Sequence, residues 1–141
     1  MATAERSPDA ASPGKRARDL VRASAFAALS SLDAGDGWPY GSLVMTACDS
    51  DGSPLILISR LAVHTKNIDA DNKVALLFDH TRGLEGRLAG PRASIMGRAE
   101  KTDDGLLRTR FCARHAAAAD LLQLDFAIYR IAVERGHLVG G

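Results

Sequence analysis

Two short apolar segments, separated by a polar turn, constrain the fold of this chain most strongly. The first is Ser42–Cys48, and the second is Pro54–Ser59, which contains the run Leu-Ile-Leu-Ile. Residues 49–53 between them include an Asp-Gly pair, which is typical of turns that join antiparallel strands. The pattern predicts a β-hairpin whose second strand is buried on both faces.

Further segments extend the hairpin into a sheet. Tight turns favour antiparallel pairing, and a small closed barrel would leave no exposed edges. Gly97 lies inside one of the predicted strands, where glycine often marks a bulge. The additional strands are expected at Lys73–Phe78, Arg92–Lys101, Asp125–Val133 and, after a turn at residues 134–136, at His137–Gly141.

Helices are expected on both sides of the central strands. Apolar residues recur at three- and four-residue spacing from Lys15 to Leu32, and glycines in residues 33–37 end this pattern. Asp103 and Asp104 offer an N-cap for a helix through about Arg114, and a second helix is expected at residues 116–124. The order of elements predicts an α+β fold.

Composition limits the classes of function. The chain has 141 residues and a formal charge of +1, which argues against nucleic acid or an anionic membrane as a partner. Its two cysteines have no metal-site spacing, and no metal site is predicted.

There is no long apolar span and no signal peptide, so a cytoplasmic location is expected. Residues 1–14 are predicted to be a loosely held tail, followed by a single domain over residues 15–141.

A polar insert follows the buried strand directly. Ser59 and Arg60 end the strand, and the insert places His64, Thr65 and Asn67 at the start of a short predicted helix. Hydroxyl, imidazole and amide groups beside a helix N-terminus suit an anion, most plausibly a phosphate. The same hydroxyls could instead only cap the helix. His64 could likewise be a partly buried histidine with backbone partners, and Asn67 could hold a turn.

Several short motifs in this region resemble a known family. They include Ser42-Leu43-Val44, His64-Thr65-Lys66-Asn67, the run Asp71–Phe78 and Gly97-Arg98-Ala99-Glu100. Together they resemble the FMN-binding split barrel of the pyridoxamine 5′-phosphate oxidase-like proteins. The segment from Ser59 to Asn67 is most similar to the haem-utilisation, or HugZ-type, branch. The resemblance covers about residues 20 to 141 and implies a mostly antiparallel split β-barrel of about six strands.

The resemblance implies FMN in a groove between the two subunits of a homodimer. Its phosphate would lie against the first two strands and the insert, and Arg92 would reach the flavin of the neighbouring subunit. Arg114 matches an arginine that holds the substrate phosphate in the oxidases. The residues implied in cofactor binding are Ser42, Leu43, Val44, Met45, Ser59, Arg60, His64, Thr65, Asn67 and Arg92.

The chain departs from the oxidases at the phosphate pocket. Ser42, His64 and Thr65 stand where the oxidases carry Arg, Arg and Lys, so three formal charges are absent and weaker FMN binding is expected. Ala47 stands where they carry a substrate-contacting lysine, and the sequence ends at Gly141, before their C-terminal Arg and His. These differences argue against true pyridoxamine phosphate oxidase activity.

Three functions therefore remain open. The first is a flavin-dependent oxidoreductase of unknown substrate, in which the flavin performs the electron transfer and no catalytic side chain is assigned. The second is a haem-binding or haem-degrading protein of the haem-utilisation type, with His137 as the one histidine near the end of the chain. The third is a non-catalytic dimer whose flavin pocket is weak or empty.

Overall fold

The structure, a computed structural model, describes residues 12–140, which form four α-helices and six β-strands. The helices are α1 (Pro13–Ala23), α2 (Val63–Ala70), α3 (Gly105–Arg114) and α4 (Ala118–Leu122), and a 3₁₀ turn spans Arg87–Ala89. The strands are β1 (Phe26–Leu32), β2 (Pro39–Cys48), β3 (Pro54–Ser59), β4 (Lys73–Asp79), β5 (Arg92–Thr102) and β6 (Phe126–Val139). All pair antiparallel and close into a barrel in the order β1-β2-β3-β6-β5-β4. The predicted α+β fold with about six strands is confirmed.

The first strand of the barrel corrects the predicted helix from Lys15 to Leu32. Ser24 ends α1: its backbone is extended, and its hydroxyl donates to the Leu20 carbonyl at 2.6 Å. Beyond it, burial alternates with a period of two, and Leu29 lies in the core while Ala28 faces outward. By spacing alone the apolar residues fit both the helical period and the period of a strand, and pairing with both β2 and β4 selects the strand.

The last strand corrects a second prediction. Residues 134–136 do not turn, because β6 runs unbroken for 14 residues and pairs with both β3 and β5. The register shifts beside Gly97, but the extra residue lies on the partner strand and not at Gly97 as predicted: Met96 pairs with Arg135 and Gly97 with Val133, so the bulged residue is Glu134 of β6. A Cβ at Gly97 would lie 2.3 Å from a backbone carbonyl oxygen of β6, so this close approach requires glycine.

The other predicted elements are present with small changes of boundary. Asp104 caps α3 by accepting a hydrogen bond from the Leu106 N–H at 2.8 Å. Of the predicted tail, residues 1–11 lie outside the described residues, and Pro13 and Gly14 already belong to α1. One apolar cluster fills the barrel, and a second, which includes Leu55, Leu57, Leu107 and Phe111, joins the outer surface of β3 to α3.

Candidate functional site

The candidate site lies at the bend where β3 ends and α2 begins. Ser59 is the last residue of β3, Ala62 is the N-cap of α2, and Val63 is its first residue. Within the described chain no side chain caps α2, so its first backbone N–H groups have no side-chain acceptor. An uncapped helix N-terminus has donors and a dipole suited to an anion.

His64 joins this bend to the neighbouring strand. Its Nδ1 lies 3.0 Å from the Oγ of Ser42 on β2, so the structure brings together two of the predicted cofactor residues. The imidazole is half-buried, and burial lowers the pKa of His64 below its usual value. The ring is therefore mainly neutral at pH 7 while the site holds no anion.

The hydroxyls of Ser59 and Thr65 are used inside the bend. Ser59 Oγ donates to the Asp125 carboxylate and accepts from the Leu61 N–H at 3.1 Å. Thr65, which is buried, donates its hydroxyl to the backbone carbonyl of Ser59. A hydroxyl has one proton, so each side chain must turn from its present partner before it can donate to a phosphate.

The C-terminal half of α2 is fixed to the barrel on two sides. The buried Asn67 accepts from the Ala34 N–H at 2.9 Å and donates to Ser31 Oγ at 3.1 Å. Tyr129 of β6 donates to Asp69 at 3.2 Å. Burial and the Asp69 carboxylate raise the pKa of Tyr129 to about 12, so the phenol keeps its proton. These bonds hold α2 in place, and the amide of Asn67 has a structural role here.

The predicted flavin-facing residues of β2 point to both sides of the sheet. Val44 lies inside the barrel, whereas Leu43 and Met45 face outward, and Leu43 is 71% exposed. Leu43 pairs with Ala28 of β1, which also pairs with Leu77 of β4. These three side chains form an outward row across three strands, which is named here the apolar sheet face together with Phe26 and Met45.

The predicted arginines are spread over the surface. The side chain of Arg60 is exposed at the bend, and its backbone N–H donates to the backbone carbonyl of Asp125 at 2.8 Å. Arg92 begins β5, which is three strands away from β2 in either direction around the barrel, and it donates to the carbonyls of Leu88 and Gly90. The resemblance assigns Arg92 to the cofactor of the neighbouring subunit, so its position within one chain does not test that role.

Arg114, the predicted substrate residue, ends α3 and lies apart from the bend. Its Nη2 donates to the Ala23 carbonyl at 2.9 Å. With Arg22 and Arg110 it lines a pocket of about 330 Å³ beside Ala47 and Cys48, named here the arginine pocket. The structure thus brings Ser42, Ser59, His64 and Thr65 to one bend but leaves Arg92 and Arg114 elsewhere.

Sequence reasoning missed two parts of this arrangement. Asp125 holds Ser59 although 66 positions separate them, and no sequence pattern reports such a contact. The apolar sheet face was missed because β1 was predicted as helix. No sequence signal was available for it, because Phe-Ala-Ala-Leu-Ser-Ser-Leu does not alternate between apolar and polar residues, and the period of two appears only in the burial of the folded strand.

The chain is similar over most of its length to known proteins. Residues 14–140 match the family described as Pyridoxamine 5′-phosphate oxidase. The Arabidopsis thaliana protein "Non-canonical heme oxygenase HOZ, chloroplastic" is 36% identical over 124 residues, which are 85% of this chain and 38% of that protein. The chain therefore spans less than two fifths of the length of this curated relative.

Two solved structures have the same fold. A heme binding protein from Mycobacterium smegmatis aligns with a TM-score of 0.85 at 24% identity, over 94% of this chain and 55% of that one. HutZ, the heme storage protein from Vibrio cholerae, aligns with a TM-score of 0.72 at 21% identity, over 87% and 90%. Among residues 12–140, no helix is long and apolar enough to cross a membrane. The resemblance drawn from the sequence is confirmed: this chain belongs to the pyridoxamine 5′-phosphate oxidase family.

Proposed function

We propose that the protein binds FMN in a groove between two copies of the chain and acts as a flavin-dependent oxidoreductase. The observation that supports this most directly is the bend at α2, where an uncapped helix start lies beside the Ser42–His64 pair. The bend follows β3, and β3 pairs with the strand that contributes Leu43 and Met45 to the apolar sheet face. A groove that crosses both would offer polar groups to the phosphate and apolar groups to the ring.

The residues at the bend fit a phosphate, although they are less charged than an Arg-Lys set. The first N–H groups of α2 can donate to phosphate oxygens, and the imidazole of His64 and the hydroxyl of Ser42 can add further bonds. Arg60 and Lys66, both exposed, are the cations nearest in sequence to the bend. Asp125 works against an anion, since its carboxylate is bonded to Ser59. Retention of FMN therefore depends mainly on backbone donors and His64, with Ser59 and Thr65 contributing once their hydroxyls turn towards the phosphate.

Protonation of His64 should couple to phosphate binding. In the free protein burial lowers its pKa, and a bound phosphate dianion would raise it again because opposite charges favour the protonated ring. Binding would then take up a proton, and affinity would increase as the pH falls through the raised pKa towards the lowered one. The stability of the free protein has the opposite pH dependence: it decreases as the pH falls, because protonating a buried neutral histidine favours the unfolded chain.

The homodimer is supported by the apolar sheet face. Phe26, Leu43 and Leu77 are 50%, 71% and 41% exposed, and Ala28 lies between the two leucines in register. These outward positions have no charged side chain, which is unusual for a surface that stays in water. A second copy that packs the same face against this one would bury them by two-fold symmetry.

Within this proposal FMN supplies the redox chemistry by accepting and returning electrons when bound. The chain holds the phosphate at the bend, orients the ring against β2 and excludes water with the apolar sheet face of the partner copy. Arg114 is proposed to bind the substrate, and Arg92 to approach the flavin of the other subunit. No side chain is assigned as nucleophile or general base. A cytoplasmic location stays a prediction.

Titration of purified protein with FMN, followed by flavin fluorescence and by sedimentation, tests the proposal. We expect saturation at one FMN per chain and the mass of a dimer. A colourless monomer that leaves FMN free in solution would refute it, whereas a colourless dimer would favour the non-catalytic alternative.

Haem binding is a second candidate, favoured by the relatives described as a heme oxygenase, a heme binding protein and a heme storage protein. His137 is exposed on β6, where an imidazole could reach a ligand. Stoichiometric formation of a Soret band on addition of haemin, and its loss in His137→Ala, would support this candidate. A Soret band unchanged in His137→Ala would remove His137 from it.

A further inference from the structure

Asp125 directly precedes β6, and backbone pairing fixes it beside the bend. Ser59, the last residue of β3, pairs with Phe126, and the backbone N–H of Arg60 donates to the backbone carbonyl of Asp125 at 2.8 Å. Asp125 therefore cannot move away from the bend unless the pairing of β3 with β6 opens. Any ligand that binds at the bend must accommodate its carboxylate.

A single hydroxyl joins the Asp125 carboxylate to the bend. Ser59 Oγ donates its proton to this carboxylate and accepts from the Leu61 N–H at 3.1 Å. A phosphate bound at the bend would compete for the same proton, because a hydroxyl has only one to donate. Its oxygens would then lie close to the carboxylate oxygen that Ser59 now contacts. The ligand and Asp125 are thus competitors for one donor and neighbours of like charge.

The charge of Asp125 is not balanced by a cation. Among residues 12–140 its carboxylate has no ion pair, and its side chain is partly buried. Arg60 and Lys66 are exposed, so water and salt screen their charges more than that of Asp125. His64 adds no full charge at pH 7, because burial lowers its pKa. The dipole at the start of α2 corresponds to about half a positive charge, which is less than the full negative charge of the carboxylate.

We propose that Asp125 is a specificity determinant, which makes the bend favour singly charged phosphate groups over doubly charged ones. The backbone N–H groups can donate to either kind of phosphate, but a dianion meets twice the repulsion from the carboxylate that a monoanion meets. A phosphate diester carries one charge, whereas a monoester loses its second proton near pH 6 and then carries two. In placing the phosphate of a flavin at this site the inference rests on the proposed function, whereas the preference for a single charge does not.

The test is an NMR titration of the ¹⁵N-labelled protein with dimethyl phosphate, which carries one charge, and with methyl phosphate, which carries two at about pH 8. The amides of Leu61 and His64 should shift saturably, and dimethyl phosphate should bind more tightly. Asp125→Asn keeps an oxygen acceptor for Ser59 but removes the charge. It should tighten dimethyl phosphate by about threefold and methyl phosphate by about tenfold, because the effect on the logarithm of the dissociation constant doubles with the charge of the probe.

Asp120→Asn is the matched control, since it removes the same charge from an exposed position on α4 and should change neither titration. The inference is overturned if neither probe shifts the amides of the bend, or if Asp125→Asn alters binding no more than Asp120→Asn. Tighter binding of methyl phosphate than of dimethyl phosphate to the original protein would also overturn it, and that comparison needs no variant.

An FMN titration of the same samples separates the two proposals. Shifts with the small phosphates while FMN stays free in solution would refute the proposed function alone. FMN bound with equal affinity by the original protein and by Asp125→Asn would overturn the role of Asp125 alone.

Discussion

Replacing Leu43 by alanine should weaken the proposed homodimer strongly. Burial of a whole leucine side chain contributes about 1.5–3 kcal/mol. Leu43 is 71% exposed in the single chain, so its burial against the partner copy can stabilise the dimer by about 1–2 kcal/mol per subunit. Two-fold symmetry counts the contact twice, and the dimer should lose about 2–4 kcal/mol. The dissociation constant should therefore rise by about 30- to 700-fold.

Sedimentation equilibrium of the FMN-free protein over a range of concentrations measures this change. Leu124→Ala is the control, because Leu124 has the same exposure, 71%, but lies between α4 and β6 rather than on the apolar sheet face. The reasoning is refuted if the two variants shift the monomer–dimer equilibrium equally, or if Leu43→Ala leaves it unchanged. Circular dichroism should show that both variants keep the fold, since neither position lies in the core.

Three further outcomes are expected. Ser59→Ala with Thr65→Ala should weaken FMN binding by about 1–3 kcal/mol, because both hydroxyls are expected to turn from the Asp125 carboxylate and the Ser59 carbonyl to donate to the phosphate, and equal affinity in a titration would place the phosphate elsewhere. FMN affinity should increase as the pH falls towards the lowered pKa of His64, and His64→Gln should flatten this dependence relative to the original protein; parallel pH profiles would contradict the linkage. Gly97→Ala should lower the free energy of unfolding, measured in urea, by about 1–3 kcal/mol, because the new Cβ would lie 2.3 Å from a backbone carbonyl oxygen. Gly105→Ala is the control and should change stability little, because a Cβ at Gly105 has no neighbouring atom within 4 Å.

The fold was predictable from the sequence where local chemistry and tertiary pairing agree. The Asp-Gly turn before Pro54–Ser59 and the Asp104 cap are each specified by neighbouring residues, and the structure has both; Gly97 marked the position of a bulge, but the bulged residue is Glu134 on the partner strand. β1 was not predictable in the same way. Its apolar residues satisfy helical spacing as well as alternation, and only the two strands that flank it select the extended form.

For the candidate site, too, local features could be predicted from the sequence and contacts between distant positions could not. The polar insert could be located from its composition, and the structure confirms a short helix there, α2. The pairing of His64 with Ser42, the bond from Ser59 to Asp125 and the meeting of Arg22 with Arg110 all join positions at least 22 apart in sequence. Such contacts are set by barrel closure and helix docking, which spacing along one chain does not encode.

The amide of Asn67 connects the two halves of the proposed groove, the bend at α2 and the apolar sheet face. It ties α2 to Ser31 and Ala34, at the end of the strand that carries Phe26 and Ala28 outward. In the proposed dimer this connection couples subunit association to ligand binding, and the coupling free energy is the same in both directions. The dissociation constant of the dimer should then be lower in the presence of the ligand than in its absence, and Asn67 is the residue through which this coupling would pass.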